Sequence, residues 1–363
     1  MSDTEQAAVQ FDTLDTADGR QIGIARLHQP KSLNALSLEM IRLLHPQLTA
    51  WANDERVVAV WLEGSGDKAF CAGGDVVALY RAMTDGNIED GYTFFREEYA
   101  LDYAIHTYPK PLIVWGNGIV MGGGLGLLAG ASHRVVTASS RIAMPEITIG
   151  LYPDVGGSWF LNRMPGRCGL FLGLTGASMN AKDALFVGLA DRLIRHQQRQ
   201  PVLDALAASD WQAPAEQVVG SVLRQFEQQD ASDEAVAGLT SAVRDHFDVI
   251  QSLTDADDLA SLVAQIGAYQ GEVVWLQKAA ATLNAGSPTT MAMVWHQLRQ
   301  LRHASLTEVF DSELTLSCRC LENGEFREGV RALLIDKDRT PQWHARQVSD
   351  LSEAWLARFF TTP

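Results

Sequence analysis

The spacing of apolar residues divides the first half of the chain into alternating strands and helices. Two strands joined by a turn are predicted within residues 10–27. Apolar residues across 40–51 recur at the spacing of an amphipathic helix, and Ser37 is well placed to cap its first turn. Strand and helix patterns then alternate to about Leu193. This alternation predicts an α/β fold.

The second half of the chain has a different pattern. Beyond residue 197 no strand-like segment remains, and the apolar residues follow helical spacing between short acidic turns. Ser305 and Glu308 have the spacing of a capping box, which predicts the start of a late helix. We therefore predict two regions: residues 1–196, which contain the functional site, and residues 197–363, which are mainly helical.

Two carboxylates, Glu146 and Asp154, each directly follow a proline in a segment rich in apolar residues. Pro145 and Pro153 restrict the backbone, so both acids are expected on stiff, extended or turning chain. The apolar neighbours predict burial, where an unpaired charge is costly unless it has a function. The alternative is a pair of solvated loop acids. We interpret the two residues as candidate catalytic acids.

Two strand–turn–helix units that contain glycines lie upstream of these acids. One turn carries Gly73 and Gly74, and the other carries Gly122 and Gly123. A turn of this kind directs free backbone N–H groups and the positive end of a helix dipole toward a ligand. One backbone N–H from each turn could reach the same oxygen atom, and that arrangement is an oxyanion hole. Tight packing of helix on strand is the alternative reason for the glycines.

Composition restricts the classes of function. The chain has 363 residues, of which 47% are hydrophobic, so it can bury a large core. Its formal net charge of −15 argues against nucleic acid as the main partner, because phosphate binding requires a basic surface. The sequence has no apolar run of about 18 residues, so no membrane span is expected.

The cysteines and histidines do not have the spacing of a metal site. Four cysteines and nine histidines are scattered along the chain, and the cysteines are too few for a disulfide framework. Residues 1–10 lack the basic and apolar parts of a targeting segment. We therefore expect no metal, reduced cysteines and a cytoplasmic location.

Several motifs in the same order resemble the crotonase (enoyl-CoA hydratase/isomerase) superfamily. They are the segments 68–75, 116–126 and 145–157. The segments 94–99, 150–157 and 326–338, together with Pro341 and Trp343, resemble the branch of that superfamily that hydrolyses acyl-CoA thioesters. The resemblance implies a β-β-α spiral core with a C-terminal helical region. It also implies an acyl-CoA substrate and no separate cofactor, since coenzyme A is part of the substrate.

The resemblance assigns a role to each candidate residue. The amides of Gly74 and Gly123 match the oxyanion hole, and Gly73 and Gly122 match the adjacent substrate-binding positions. Glu146 matches the residue that either attacks the carbonyl carbon or activates a water molecule. Asp154 matches the acid that orients the substrate hydroxyl or the water and transfers protons. Both routes for Glu146 stay open.

Two further positions bear on the reaction. Gly126 stands where enoyl-CoA hydratases carry a second glutamate, so hydration is expected to be disabled. Glu98 matches an acid that contacts substrate, and a solvated helix face is the alternative. The expected reaction is hydrolysis of an acyl-CoA thioester with a 3-hydroxyl group, as in valine breakdown. A Δ3,Δ2-enoyl-CoA isomerase and an acyl-CoA-binding protein without catalysis are the alternatives, and a homo-oligomer is left open.

Overall fold

The computed structural model describes residues 7–360 and contains two β-sheets with many helices. The strands are β1 (Val9–Asp15), β2 (Gln21–Leu27), β3 (Val57–Gly64), β4 (Ala69–Cys71), β5 (Leu112–Gly116), β6 (Ile119–Met121), β7 (His133–Val136), β8 (Arg141–Ala143) and β9 (Arg192–Leu193).

The helices account for most of the remaining described chain. They are α1 (Leu38–Asn53), α2 (Val76–Thr84), α3 (Ile88–His106), α4 (Gly123–Gly130), α5 (Gly157–Leu161), α6 (Cys168–Thr175), α7 (Ala181–Val187), α8 (Arg199–Ala207), α9 (Ala215–Asp230), α10 (Glu234–Ala237), α11 (Ala242–Asp245), α12 (Phe247–Leu253), α13 (Leu259–Gly267), α14 (Val274–Ala285), α15 (Pro288–Gln300), α16 (Leu306–Glu322), α17 (Glu325–Val330) and α18 (Glu353–Phe360). A π-helical turn spans Arg331–Ile335, and short 3₁₀ turns span Pro30–Ser32, Glu146–Thr148, His196–Gln198 and Val348–Asp350.

The larger sheet has six strands in the order β1-β2-β3-β5-β7-β9. β1 and β2 form an antiparallel hairpin, whereas each following pair is parallel. Parallel neighbours require crossover connections, and the helices between these strands supply them. The smaller sheet has the order β4-β6-β8, with β4 and β6 parallel. The predicted α/β fold is therefore confirmed.

The contacts between residues divide the chain into two units that alternate along the sequence. Unit 1 comprises the chain up to Gly74 together with Ala100–Ile142 and Met179–Ser241. Unit 2 comprises Asp75–Tyr99, Ala143–Ser178 and the chain from Ala242 onward. The division of roles between residues 1–196 and 197–363 stays a prediction.

Unit 1 is built around one face of the six-stranded sheet, which packs against α8 and α9. Trp61 of β3 and Trp115 of β5 stack with ring centroids 5.2 Å apart. The other core residues at this face are apolar side chains of the sheet and of the two helices: Ile22, Ile24, Ala59, Ile113, Val135, Ile194, Val202, Leu203, Leu206, Trp211, Val218, Val219, Val222, Leu223 and Phe226. Burial of each large side chain contributes about 1.5–3 kcal/mol, so this face holds α8 and α9 on the sheet.

Unit 2 is mainly helical. α6 packs against both α5 and α15, and the approach of α6 to α5 is very close at Gly169. A Cβ at Gly169 would lie 1.9 Å from the carbonyl oxygen of Leu161, so no larger residue fits there. Within residues 7–360, every element after β9 is helical, as predicted. The predicted capping box of Ser305 and Glu308 begins α16.

Three expectations concern the whole chain. Among the helices of residues 7–360, none is long and apolar enough to cross a membrane. All four cysteines have free thiols. The prediction that residues 1–10 contain no targeting segment falls partly on residues 1–6, which lie outside the described residues.

Candidate active site

The two glycine turns lie side by side in unit 1. β4 leads into Gly73 and Gly74, and the neighbouring parallel strand β6 leads into Gly122 and the start of α4. A Cβ added at Gly73 would lie 3.5 Å from the carbonyl oxygen of Met121 and 4.0 Å from the Cα of Gly122. The φ angles of Gly73 and Gly122 are 120° and 49°, which favour glycine. The structure thus brings together the two turns that the sequence singled out.

The amides of Gly74 and Gly123 have the character of oxyanion donors. Neither amide finds a hydrogen-bond acceptor anywhere in residues 7–360. Gly123 is the first residue of α4, so its N–H has no partner inside the helix and lies at the positive end of the helix dipole. The amide of Leu36 donates a 2.8 Å hydrogen bond to the carbonyl oxygen of Gly73, which holds the first turn in place. The oxyanion role itself stays a prediction.

Glu146 begins a 3₁₀ turn in unit 2, directly after Pro145. Only 4% of the residue is exposed, so the alternative of a solvated loop acid is wrong. Its Oε2 atom is fully buried and has no hydrogen-bond partner within residues 7–360. Burial, together with the charge of Asp154, raises the pKa of Glu146 well above its usual value. An orphaned buried carboxyl oxygen of this kind is typical of a group that acts on a ligand.

Asp154 is buried to the same degree but has a polar partner. The hydroxyl of Tyr99 donates a 2.6 Å hydrogen bond to its Oδ2 atom. Burial raises the pKa of Asp154 to about 6, and the hydrogen bond from Tyr99 opposes that rise. The two acids therefore differ in how tightly they bind a proton, because the hydrogen bond from Tyr99 opposes the rise in the pKa of Asp154 and no hydrogen bond does so at Oε2 of Glu146. A split of this kind lets one carboxyl give a proton while the other accepts it.

The hydroxyl of Tyr99 belongs to a buried hydrogen-bond network. Tyr99 and Ser317 have their hydroxyl oxygens 2.6 Å apart. The hydroxyl of Tyr152 lies 3.0 Å from that of Ser317 and donates a 2.7 Å hydrogen bond to the backbone carbonyl oxygen of Glu313. These groups connect Asp154 to α16, which carries both Glu313 and Ser317.

The carboxylate of Glu313 holds the turn that follows Asp154. It accepts 2.8 Å hydrogen bonds from the backbone amides of Gly156 and Ser158. Val155, between Asp154 and Gly156, has a φ of 52°, which is unusual for a β-branched residue. Burial raises the pKa of Glu313 to about 8, although its two amide hydrogen bonds oppose that rise. Glu313 thus fixes a strained turn next to the second acid.

Glu98 is only 2% exposed, so the alternative of a solvated helix face is wrong. It lies in α3 beside Tyr99. Its substrate-binding role stays a prediction. Gly126 is buried within α4 and supplies no carboxylate at the position of the second hydratase glutamate.

Sequence reasoning missed the four residues that support Asp154. Tyr99 and Tyr152 lie within the segments 94–99 and 145–157, whose motifs predict a role for other residues only. Glu313 and Ser317 are four residues apart, which places them on one face of α16, and this spacing was their only signal. Within residues 7–360, no group of three or more His, Cys, Asp or Glu side chains is arranged to hold a metal ion.

A parallel sheet that leads into paired glycine turns, with buried acids downstream, defines the crotonase class of acyl-CoA enzymes. The profile of the enoyl-CoA hydratase/isomerase family matches residues 22–360. This chain belongs to that family. The resemblance and the crotonase-like fold predicted from the sequence are both confirmed.

Individual relatives support the same assignment. The chain is 38% identical over 340 residues to a protein of Danio rerio named 3-hydroxyisobutyryl-CoA hydrolase, mitochondrial, covering 94% of this chain and 87% of the relative. The Homo sapiens protein of the same name is 34% identical over 338 residues, covering 93% and 86%.

Two solved structures resemble the chain over nearly its whole length. An enoyl-CoA hydratase from Rhodobacter sphaeroides matches with a TM-score of 0.83 and 33% identity, covering 97% of each chain. A carnitinyl-CoA dehydratase from Mycobacterium thermoresistibile matches with a TM-score of 0.86 and 31% identity, covering 99% of this chain and 97% of the other.

Proposed function

We propose that this chain hydrolyses acyl-CoA thioesters and that its preferred substrate is 3-hydroxyisobutyryl-CoA, giving 3-hydroxyisobutyrate and coenzyme A in valine breakdown. The observation that carries the proposal is the buried, unpartnered carboxyl oxygen of Glu146 beside the second acid, Asp154. The names of the vertebrate relatives support the same reaction. No cofactor beyond the coenzyme A of the substrate is required.

The split between the two acids suggests how the reaction starts. Glu146 must be ionised before it can act, and Asp154, with a pKa of about 6, is the neighbouring carboxyl that can take its proton. The transfer costs free energy, because the pKa of Glu146 is raised so far by burial. The carboxylate of Glu146 then attacks the thioester carbon, and the C–S bond breaks as a mixed anhydride forms. Asp154 returns the proton to the departing thiolate. Water hydrolyses the anhydride and restores Glu146.

A second route uses the same groups. In it Glu146 takes a proton from a water molecule, and the water attacks the thioester carbon directly. Both routes place negative charge on the carbonyl oxygen, which the amides of Gly74 and Gly123 would stabilise. One such donor typically contributes about 3 kcal/mol to transition-state stability, because it is aimed where charge develops. Gly73 and Gly122 have no side chains, so the thioester of the substrate can approach these amides closely.

The proposal has two competitors. A Δ3,Δ2-enoyl-CoA isomerase would need one acid to move a proton between carbon atoms, and an acyl-CoA-binding protein would need none. The presence of two buried acids with separated proton affinities favours hydrolysis over both. A cytoplasmic location stays a prediction, and the relatives are named mitochondrial. Whether the chain forms a homo-oligomer is left open.

A thiol-release assay tests the proposal. The panel contains 3-hydroxyisobutyryl-CoA, 3-hydroxypropionyl-CoA, isobutyryl-CoA and a 3-enoyl-CoA. Free coenzyme A should appear much faster from the hydroxylated substrates, because the analogue without a hydroxyl leaves a buried polar group unpaired. Isomerisation of the 3-enoyl-CoA without thiol release would show that the chain is an isomerase and not a hydrolase. Tight binding of every substrate without conversion would show that it is an acyl-CoA-binding protein without catalysis.

A further inference from the structure

A cleft in unit 2 gathers three arginines in an otherwise acidic chain. Its volume is about 410 Å³, and it lies beside the end of α5, the start of α6 and the end of α15. The arginines are Arg167, Arg299 and Arg302. The formal net charge of the whole chain is −15, so three guanidinium groups at one cleft are a marked local exception. None of the acids assigned to catalysis lines this cleft.

The guanidinium groups are placed to receive an anion. Arg167 is held by hydrogen bonds to the carbonyl oxygen of Gln251 and, at 3.2 Å, to the hydroxyl of Thr254. Arg299 lies over the ring of Trp295, 4.7 Å from its centroid. Within residues 7–360, neither Arg299 nor Arg302 has an ion-pair partner.

Acids are scarce at this cleft. Asp255 pairs with Arg167 at 3.3 Å and is largely exposed, and the part of the chain that the structure describes contributes no Asp or Glu to the lining itself. Two of the three guanidinium groups are therefore uncompensated. Uncompensated arginines at a concave surface favour bidentate binding of phosphate or carboxylate oxygens.

Part of the remaining lining is apolar and includes a flat aromatic ring, beside the polar residues Asn162 and Thr254. Leu161, Leu170 and Leu298 line the cleft together with Trp295. The volume lies in the range of sites that hold small organic molecules. A planar ring would lie against the stacked pair of Trp295 and Arg299 and cover the leucines while its charged group meets the arginines.

We propose that this cleft binds a nucleoside phosphate, with the phosphate oxygens on Arg299 and Arg302 and the base against Trp295. The lining favours a nucleoside phosphate over a simple anion, because a simple anion would leave Leu161, Leu170 and Leu298 uncovered. It selects this class over an acyl chain, because the flat faces of Trp295 and the guanidinium groups match a planar ring.

Isothermal titration of the full chain with ADP tests the site directly. Wild-type protein should bind ADP saturably, and raising the salt from about 50 to about 500 mM should weaken binding, because screening acts on exposed charges. The variant R299A/R302A should bind at least about a hundredfold more weakly, since each lost guanidinium–phosphate pair is worth roughly tenfold. Adenosine and inorganic phosphate, as separate probes, should each bind more weakly than ADP.

Two control variants test whether the loss of binding is specific to this cleft. Arg224→Ala removes an exposed charge from α9 and should leave ADP binding unchanged. The single variant Arg302→Ala, at an exposed position, should weaken binding about tenfold and guards against a folding defect in the double variant. Because the readout is heat of ADP binding, it holds whether or not the chain proves to be a thioesterase.

Three outcomes would overturn the proposal. One is the absence of saturable ADP binding, and another is equal binding by the wild type and R299A/R302A. The third is tighter binding of decanoate than of ADP with loss of that binding in R299A/R302A, which would assign the cleft to an acyl anion.

Discussion

The hydroxyl of Tyr99 donates a 2.6 Å hydrogen bond to Oδ2 of Asp154. Both side chains are buried, so water does not compete for either partner. The bond stabilises the ionised carboxylate and lowers a pKa that burial raises. Tyr99 therefore helps to set the pKa of Asp154.

Replacement of Tyr99 by phenylalanine should shift the acid limb of the kcat–pH profile to higher pH. The limb is expected near the Asp154 pKa of about 6, and loss of the hydrogen bond removes an effect that lowers this pKa. At pH 7 kcat should fall roughly tenfold, because less Asp154 is ionised and the carboxylate is less well positioned. Thiol release from pH 5 to 9 provides the measurement. Tyr92→Phe is the matched control, since Tyr92 lies on the same helix and bonds the surface residue Glu322; identical profiles for the two variants would contradict the prediction.

Glu146→Gln should lower kcat by about a thousandfold or more, with a change in KM below about tenfold. The amide keeps the shape of the side chain but can neither attack the thioester nor accept a proton. Asp154→Asn should also be severe. The double variant should lower kcat by a much smaller factor than the product of the two single factors, since both residues serve one proton transfer. Multiplicative losses in steady-state kinetics would show that the acids act independently.

Glu98→Gln should change substrate preference. If the buried carboxylate of Glu98 contacts the substrate hydroxyl, kcat/KM should fall about tenfold or more for 3-hydroxyisobutyryl-CoA and little for isobutyryl-CoA. The comparison of the two substrates is the measurement. Glu89→Gln is the control, because Glu89 is an exposed acid on the same helix. Equal losses on both substrates would assign Glu98 to the fold instead.

Glu313 should make the protein less stable as pH rises. Its folded pKa of about 8 lies above its usual value of 4.5, so the folded state binds more protons between these values. The contribution of Glu313 to the free energy of unfolding is then fully present below about pH 4.5. It is lost as pH rises toward 8, by at most about 1.4 kcal/mol per pH unit. Urea midpoints from pH 5 to 8 should fall less steeply in Glu313→Gln than in the wild type. Glu272 is exposed, so Glu272→Gln should keep the wild-type dependence of the urea midpoint on pH. If Glu313→Gln shows that same dependence, Glu313 is not the group that makes stability fall with pH.

The sequence predicted those parts of the fold and site that depend on local chemistry. Ser37 caps α1 because a serine side chain accepts from a nearby helical amide, here that of Met40. The glycine turns were recognised because a left-handed or close-packed backbone demands glycine over a few residues. The burial of Glu146 and Asp154 followed from the apolar residues immediately around them.

Only the tertiary structure decided which distant groups support those residues. Tyr99 and Asp154 are 55 residues apart, and Glu313 lies 157 residues from the amide of Gly156. Local periodicity places a residue on a helix face but does not state which segment that face meets. The same limit applies to the pKa values, because desolvation by the folded chain raises those of Glu146, Asp154 and Glu313. The sequence alone thus determined which groups are candidates for the chemistry, whereas folding decided their partners and the direction of their pKa shifts, since both depend on contacts between residues far apart in the chain.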